Sequence, residues 1–154
     1  MIPRPLGHLA YRIANVGLRI ASLIARPHTR GVKCLLCVGD TVLLVRHSYG
    51  PRQWDLPGGF VRSGEGFEGG ARRELEEELG IPAGEGAYTD LGRLHREYMG
   101  RHETIQIYRV DLPARSGAVQ GFELVRIGWF ARAALPPRRS SLVAEILERD
   151  TRFA

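Results

Sequence analysis

Residues 59 to 81, GFVRSGEGFEGGARRELEEELGI, determine the fold of this 154-residue chain. Alanine, leucine, arginine and glutamate are strong helix formers, and their density predicts a helix from about Phe67 to Leu79. Gly80 is suited to close the last turn in a left-handed conformation, and Pro82 prevents the helix from resuming. The stretch therefore predicts a glycine-rich loop followed by a helix with one apolar stripe for burial against a sheet.

Three acidic residues of this helix share one face. Glu74, Glu77 and Glu78 are three and four positions apart, so their side chains fall within one narrow arc. Like charges at this spacing destabilise a bare helix, and a hard divalent cation would reverse the sign of that interaction. A solvated acidic surface is the competing interpretation, and the residues that surround the glutamates decide against it.

The surrounding pattern resembles the Nudix box of the Nudix hydrolase family, with no insertion or deletion. The resemblance implies an α/β fold, a Nudix-type α/β/α sandwich with a mixed central sheet. It also implies a hydrolase that cuts a diphosphate linkage in a nucleotide-like substrate, with Mg²⁺ as cofactor and Mn²⁺ as a substitute. The matching positions are Gly59, Glu65, Arg73-Glu74-Leu75, Glu77-Glu78 and Gly80-Ile81.

The same resemblance implies roles for individual residues. Glu65 and Arg73 form an ion pair that ties the loop to the helix and orients the carboxylates. Glu74, Glu77 and Glu78 bind the metal, and so does the backbone carbonyl that precedes the box glycine, which is that of Gly58. The lead-in Leu56-Pro57-Gly58-Gly59 is also typical of the family.

The catalytic base and the substrate contacts are less specific in the sequence. Relatives use either a box glutamate, which is Glu74 here, or a carboxylate on a later loop, for which Glu123 is the better candidate and Glu103 the weaker one. An isolated loop glutamate is otherwise a solvated charge. The candidate substrate-binding residues outside the box are Arg46, His47, Arg52, Gln53 and Tyr98.

The substrate class stays open at the level of sequence. ADP-ribose, ordinary or oxidised nucleoside triphosphates, dinucleoside polyphosphates and capped RNA ends all fit the box. The alternative function is a Nudix-like module that binds a nucleotide without cutting it. A box lacking glutamates would favour that alternative, and this box retains all of them.

The charge and the cysteine content limit the kinds of binding partner and the cellular compartment that we expect. The net charge of +5 comes almost wholly from arginines scattered along the chain, and Lys33 is the only lysine. This favours a small phosphorylated substrate over a stable nucleic acid partner. Cys34 and Cys37 lie in an apolar run, and residues three apart in a strand face opposite sides, so we expect two separate buried thiols and a reducing cytoplasm.

Two segments are predicted along the chain. Residues 1–28 carry apolar residues at helical spacing interrupted by arginines, which predicts an amphipathic helix that cannot span a bilayer. We expect it to pack on its own domain or across a homodimer, with a membrane surface as the alternative. The resemblance implies that residues 29–154 form a Nudix hydrolase domain.

The remaining elements of the domain follow from apolar runs and turn residues. Gly69 and Gly70 stand in the first turn of the box helix, which either frays or packs closely against a neighbour. A closing helix is predicted over Ser141–Glu148, with serine near its N-cap. Strands are predicted over Val32–Val38, Thr41–His47, Trp54–Val61, Leu91–Met99, Thr104–Leu112 and Leu124–Phe130.

Overall fold

The computed structural model of this protein describes residues 28–48, 50–98, 101–118 and 123–151. The predicted amphipathic segment, residues 1–28, lies outside these ranges except for His28, which begins the first strand. Within the described ranges, no helix combines the length and the apolar character needed to cross a bilayer.

Strands and helices follow the order that the sequence predicts. The box helix has the predicted bounds, and most strands extend a few residues beyond theirs. The elements are β1 His28–Val38, β2 Thr41–His47, β3 Trp54–Asp55, α1 Phe67–Leu79, β4 Ala87–Tyr98, β5 Arg101–Asp111, β6 Leu124–Ala131, a 3₁₀ turn Arg132–Ala134 and α2 Ser141–Arg149.

The sheet is mixed, as predicted, because β1 pairs parallel with β5 while the other pairs are antiparallel. Along the sheet the strands run β3-β2-β1-β5-β4, and β6 pairs with β2. Since β6 occupies one edge of β2, β1 and β3 share the other edge. β1 pairs with β2 at only two positions, Cys37 with Val42 and Val38 with Thr41, and then diverges from it.

The split between β1 and β2 is bridged by the segment that leads into the box. The amides of Val32 and Cys34 donate to the carbonyls of Gly59 and Pro57, both at 2.9 Å. The predicted strand Trp54–Val61 is therefore shorter than expected. Only Trp54–Asp55 pairs with β2, and the residues beyond it are bound to β1, where Phe60 forms an isolated bridge with Gly31.

Each face of the sheet carries its own core. One face packs against α1 through Ala71, Leu75 and Leu79, and the other packs against α2 through Leu142, Val143 and Ile146. Cys34 belongs to the first core and Cys37 to the second, and both thiols are free and buried. The prediction that the two cysteines face opposite sides is confirmed.

The ends of the two helices follow simple capping rules. Gly80 adopts a left-handed conformation at the end of α1, and its amide donates to the carbonyl of Glu76 at 3.0 Å. At the start of α2 the hydroxyl of Ser140 accepts from the amide of Leu142. In the first turn of α1, a Cβ at Gly70 would lie 3.1 Å from Val61, so this glycine is needed for close packing.

Candidate active site

The box helix places two carboxylates in a buried position against the lead-in segment. Glu74 and Glu78, one turn apart on α1, are each only 5% exposed. The amide of Gly58 donates to Oε2 of Glu78 at 3.1 Å. The buried acidic face is therefore turned toward the Gly58-Gly59 backbone, next to the split in the sheet.

The two glycines of the lead-in are required by the space available. A Cβ at Gly59 would lie 2.6 Å from Oε2 of Glu74, so any side chain there would force the carboxylate or the backbone to shift. Gly58 has a φ of +135°, and its Cβ would lie 2.2 Å from the carbonyl oxygen of Val32. Since the carbonyls of Pro57 and Gly59 both bind β1, the intervening carbonyl of Gly58 is directed away from that strand.

Arg73 connects the loop, the lead-in segment and the helix. Its Nε and Nη2 donate to the two carboxylate oxygens of Glu65 at 2.8 and 2.9 Å, and Nη2 also donates to the carbonyl of Phe60 at 2.9 Å. Nη1 donates to Oε1 of Glu74. The ion pair implied by the resemblance is present, and its hydrogen bonds lower the pKa of Glu65 to about 2.

Glu77 is the exposed member of the acidic arc. Arg62 donates to its Oε1 at 2.9 Å, and Arg73 approaches its Oε2 at 3.3 Å. In this arrangement Glu77 is turned toward arginines at the surface, whereas Glu74 and Glu78 are turned inward.

Lys33 and Asp55 belong to the same site, although the sequence interpretation did not select them. The ammonium of Lys33 donates to Oδ2 of Asp55 at 2.8 Å and to the carbonyl of Leu56 at 2.9 Å. The signal that points to Lys33 is its isolation, because it is the only lysine of the chain and stands within the otherwise apolar stretch Val32–Val38.

His47 and Glu123 lie close to these charges. Burial lowers the pKa of His47, and the charge of Lys33 acts in the same direction. Burial raises the pKa of Glu78 to about 8; Lys33 opposes this shift, whereas Glu74 and Glu123 add to it. The carbonyl of Glu123 accepts from the amide of Ser48 at 2.9 Å, which ties the loop before β6 to the end of β2.

The remaining predicted residues lie on β2, in the loop after it, and on β4 and β5. Arg46 pairs in register with Trp54 and donates from Nε and Nη2 to the carbonyl of Arg52. Arg52 is exposed with a φ of +49°, and Gln53 is half-buried. Glu103 lies on β5 opposite Thr29 of β1. It is close to the lead-in segment, since a Cβ at Gly31 would lie 3.8 Å from Oε1 of Glu103 and 3.4 Å from the carbonyl oxygen of Gly59. The side chain of Tyr98 lies outside the described part of the structure.

The donor set fits a hard divalent cation. Within the described ranges, no three histidine, cysteine, aspartate or glutamate side chains converge as a ready metal site. Glu74 and Glu78 nevertheless offer buried carboxylate oxygens on adjacent turns, which are ligands that Mg²⁺ prefers. Burial raises the pKa of Glu78 and the charge of Glu74 adds to this shift, which a cation bound between the two carboxylates would oppose. Glu77 would join them by exchanging its arginine partners.

Comparison with known proteins identifies the class of protein that this fold and site define. The family model of the NUDIX domain matches residues 27–149. The chain therefore belongs to the NUDIX family.

Solved structures share the fold. A MutT NUDIX hydrolase from Burkholderia pseudomallei is 27% identical, with a TM-score of 0.72 over 80% of this chain and 98% of that one. An Ap4A hydrolase from C. elegans, solved as a binary complex, has a TM-score of 0.64 at 20% identity, over 79% of this chain and 93% of its own. The second likeness concerns the fold alone.

Curated relatives match over shorter stretches. The oxidized purine nucleoside triphosphate hydrolase of Mus musculus is 29% identical over 91 residues, 59% of this chain and 57% of that protein. The chloroplastic Nudix hydrolase 19 of Arabidopsis thaliana is 46% identical over 50 residues, 32% of this chain and 11% of that protein. The match therefore spans little more than half of the mouse protein and a ninth of the plant protein.

Proposed function

We propose that this protein is a Mg²⁺-dependent pyrophosphohydrolase that cleaves a diphosphate linkage in a small nucleotide-like substrate, with Mn²⁺ as a substitute metal. The observation that carries the proposal is the burial of Glu74 and Glu78 side by side against Gly58-Gly59. Two buried carboxylates of like charge are unfavourable unless a counter-charge accompanies them. A cation bound with an anionic diphosphate satisfies this requirement.

The residues of the site have separate roles in binding the metal and in holding its ligands in place. Mg²⁺, when bound by Glu74, Glu77, Glu78 and the Gly58 carbonyl, would neutralise phosphoryl charge and acidify water. Arg73 fixes the Glu74 carboxylate through Nη1 while it holds the loop through Glu65. The backbone of the lead-in is anchored to β1, so the site is built on rigid elements rather than on a free loop.

Two carboxylates are candidates for the base that accepts the proton of the attacking water. Glu74 is buried, and its Oε1 accepts from Nη1 of Arg73. Glu123 lies near enough to Glu78 to raise its pKa, and it enters from the loop before β6. We favour Glu74, because its position on α1 is fixed by the ion pair.

The mouse relative supports a first choice of substrate. Because that relative is an oxidized purine nucleoside triphosphate hydrolase, oxidised purine nucleoside triphosphates are the first compounds to test on this chain. ADP-ribose and dinucleoside polyphosphates follow as alternatives. Among the predicted substrate contacts we favour His47, because burial and then the charge of Lys33 lower its pKa, as expected for a residue near that lysine.

The partners and the compartment are proposals as well. The two buried, free thiols support a reducing compartment such as the cytoplasm. For residues 1–28 we propose packing on the catalytic domain or across a homodimer, with a membrane surface as the alternative. The oligomeric state and the binding to anionic vesicles of the full chain with and without this segment test the proposal.

The decisive experiment is hydrolysis of a nucleotide panel with Mg²⁺ or Mn²⁺, with the nucleotide products separated by chromatography, comparing the wild type with Glu78→Gln. We expect Glu78→Gln to lower kcat by about a hundredfold or more, because a charged oxygen ligand is lost. Glu76→Gln is the matched control, since Glu76 is on the same helix but exposed, and it should retain wild-type turnover. Near-normal activity in Glu78→Gln on the best substrate would contradict the assignment.

A further inference from the structure

Lys33 is a part-buried cation in the otherwise apolar stretch Val32–Val38 of β1. Its side chain is 16% exposed, and that of its partner Asp55 is 19% exposed. Burying an ammonium is costly unless it is paired and hydrogen-bonded. A lysine in this position therefore needs a specific reason, which the apolar core on either side does not supply.

Lys33 is connected to the acidic face of α1 through the backbone of the three residues Leu56 to Gly58. Lys33 donates to the carbonyl of Leu56, and Glu78 accepts from the amide of Gly58, two residues farther along. The Cα of Lys33 also lies only 3.1 Å from the position that a Cβ would take at Gly58. The segment Leu56–Gly58 is thus held from one side by Lys33 and from the other by Glu78.

Asp55 depends on this lysine. Its Oδ2 accepts from Lys33, whereas its Oδ1 is buried and has no hydrogen-bond partner among the residues that the structure describes. An ionised carboxylate in this setting needs its one counter-charge. The pair Lys33–Asp55 therefore acts as one unit, and it closes the split where β1 leaves β2.

We propose that Lys33 is a positioning residue of the catalytic site, which fixes the Leu56–Gly58 backbone so that the Gly58 carbonyl and the Glu78 carboxylate are held in register. This inference rests on the proposed function, because it concerns the same metal-binding site. Partners that orient metal ligands commonly contribute tenfold to a hundredfold in metal affinity or activity. Lys33 acts on the metal ligands indirectly, because it binds the backbone of the segment that carries the Gly58 carbonyl.

The test compares the full-length wild type with Lys33→Met and with the double variant Lys33→Met/Asp55→Asn. Binding of Mn²⁺ alone is measured by electron paramagnetic resonance, thermal unfolding by circular dichroism, and kcat and KM on the best substrate of the panel. We expect Lys33→Met to weaken Mn²⁺ binding and lower kcat by about tenfold to a hundredfold, with KM changed far less.

The double variant separates positioning from general stability. It leaves no buried charge uncompensated, so it should regain much of the melting temperature that Lys33→Met loses, while Mn²⁺ affinity and kcat stay low. Recovery of affinity and kcat together with stability would overturn the proposal, and so would wild-type or tighter Mn²⁺ binding in Lys33→Met.

A control and a separate readout complete the design. Arg96→Met removes a cross-element ion pair with Glu145, far from the acidic face, and should leave Mn²⁺ affinity unchanged. If the wild type hydrolyses nothing in the panel, the proposed function fails. The Mn²⁺ affinities of the variants still decide the role of Lys33.

Discussion

At the scale of single residues, the site depends on the absence of a side chain at Gly59 as much as on the carboxylates themselves. The Glu74 carboxylate occupies the space that a Cβ would need. A methyl group there must displace either the carboxylate or the lead-in backbone, and both are held by hydrogen bonds. Glycine at this position is thus a condition for the orientation of Glu74.

This argument predicts that Gly59→Ala impairs turnover while the fold survives. Displacement of Glu74 by about 1 Å should lower kcat by about a hundredfold, as misplacement of catalytic groups commonly does. Gly84→Ala is the matched control, because nothing lies within 4 Å of its added Cβ, and it should keep wild-type kinetics. Steady-state assays with a melting curve for each variant check both statements. A fully active Gly59→Ala enzyme would refute this reading of the contact.

The sequence was sufficient for some residues of the site and insufficient for others. Glu74 and Glu78 follow from their spacing along one helix, whereas the pairing of Glu65 with Arg73 follows from the resemblance of the loop and helix to the Nudix box. Lys33 and Asp55 come from different strands, and their contact exists only because β1 separates from β2. The hydrophobic periodicity of the sequence does not predict where β1 separates from β2. Tertiary contacts of this kind require the structure.

At the scale of elements, the loop from Gly59 to Gly66 and the helix α1 act as one rigid unit. The bidentate pair between Arg73 and Glu65 closes this unit, and the amide of Arg62 also donates to Oε2 of Glu65 at 2.8 Å. The bounds of α1 were predicted correctly, because Gly80 and Pro82 mark its end in the sequence itself. The lead-in strand was predicted too long, since its apolar residues pack without forming a regular ladder.

The ion pair between Arg73 and Glu65 leads to a prediction about the stability of the fold in acid. Hydrogen bonds with Arg73 lower the pKa of Glu65 from 4.5 to about 2. A carboxylate with a depressed pKa stabilises the fold fully above its unfolded value, and this contribution is lost as the pH falls through the folded value. The difference in unfolding free energy between wild type and Glu65→Gln should therefore be constant from neutral pH to about 5 and shrink toward pH 2.

Urea unfolding of both proteins across this pH range provides the measurement. The Glu65→Gln variant should be the less stable of the two at neutral pH, and the two curves should converge in acid. A stability difference that persists unchanged to about pH 2 would show that the carboxylate charge is not what holds the loop.

At the scale of the whole molecule, one network of charges joins the last helix to the sheet. Asp150 accepts from Nη1 of Arg109 on β5 through both oxygens, at 2.9 and 2.7 Å, and is also bound by Arg132 of the 3₁₀ turn. Arg109 in turn donates to Asp111. The carboxyl end of α2, β5 and the segment after β6 are thus connected at a buried point.

Removing the centre of this network should destabilise the protein globally. Asp150→Ala removes the counter-charge that Arg109 and Arg132 share, while Arg109 keeps Asp111, so we expect a loss of about 3 kcal/mol in unfolding free energy, the lower end for a broken buried pair. Glu148→Gln, at an exposed position of the same helix, should change it by less than about 0.5 kcal/mol. Equilibrium denaturation in urea measures both. Equal stability of the two variants would mean that the network contributes nothing net.

The parallel pairing of β1 with β5 also dictates the order of events during synthesis. His28 pairs with His102 and Cys37 with Asp111, so the central strand waits for the last residues of β5 to leave the ribosome. Until then one edge of a strongly apolar strand is open to other chains, and such distant pairings form slowly. The hairpin of β4 and β5 is local, which leaves its docking onto β1 as the late step that commits the nascent chain to its native topology.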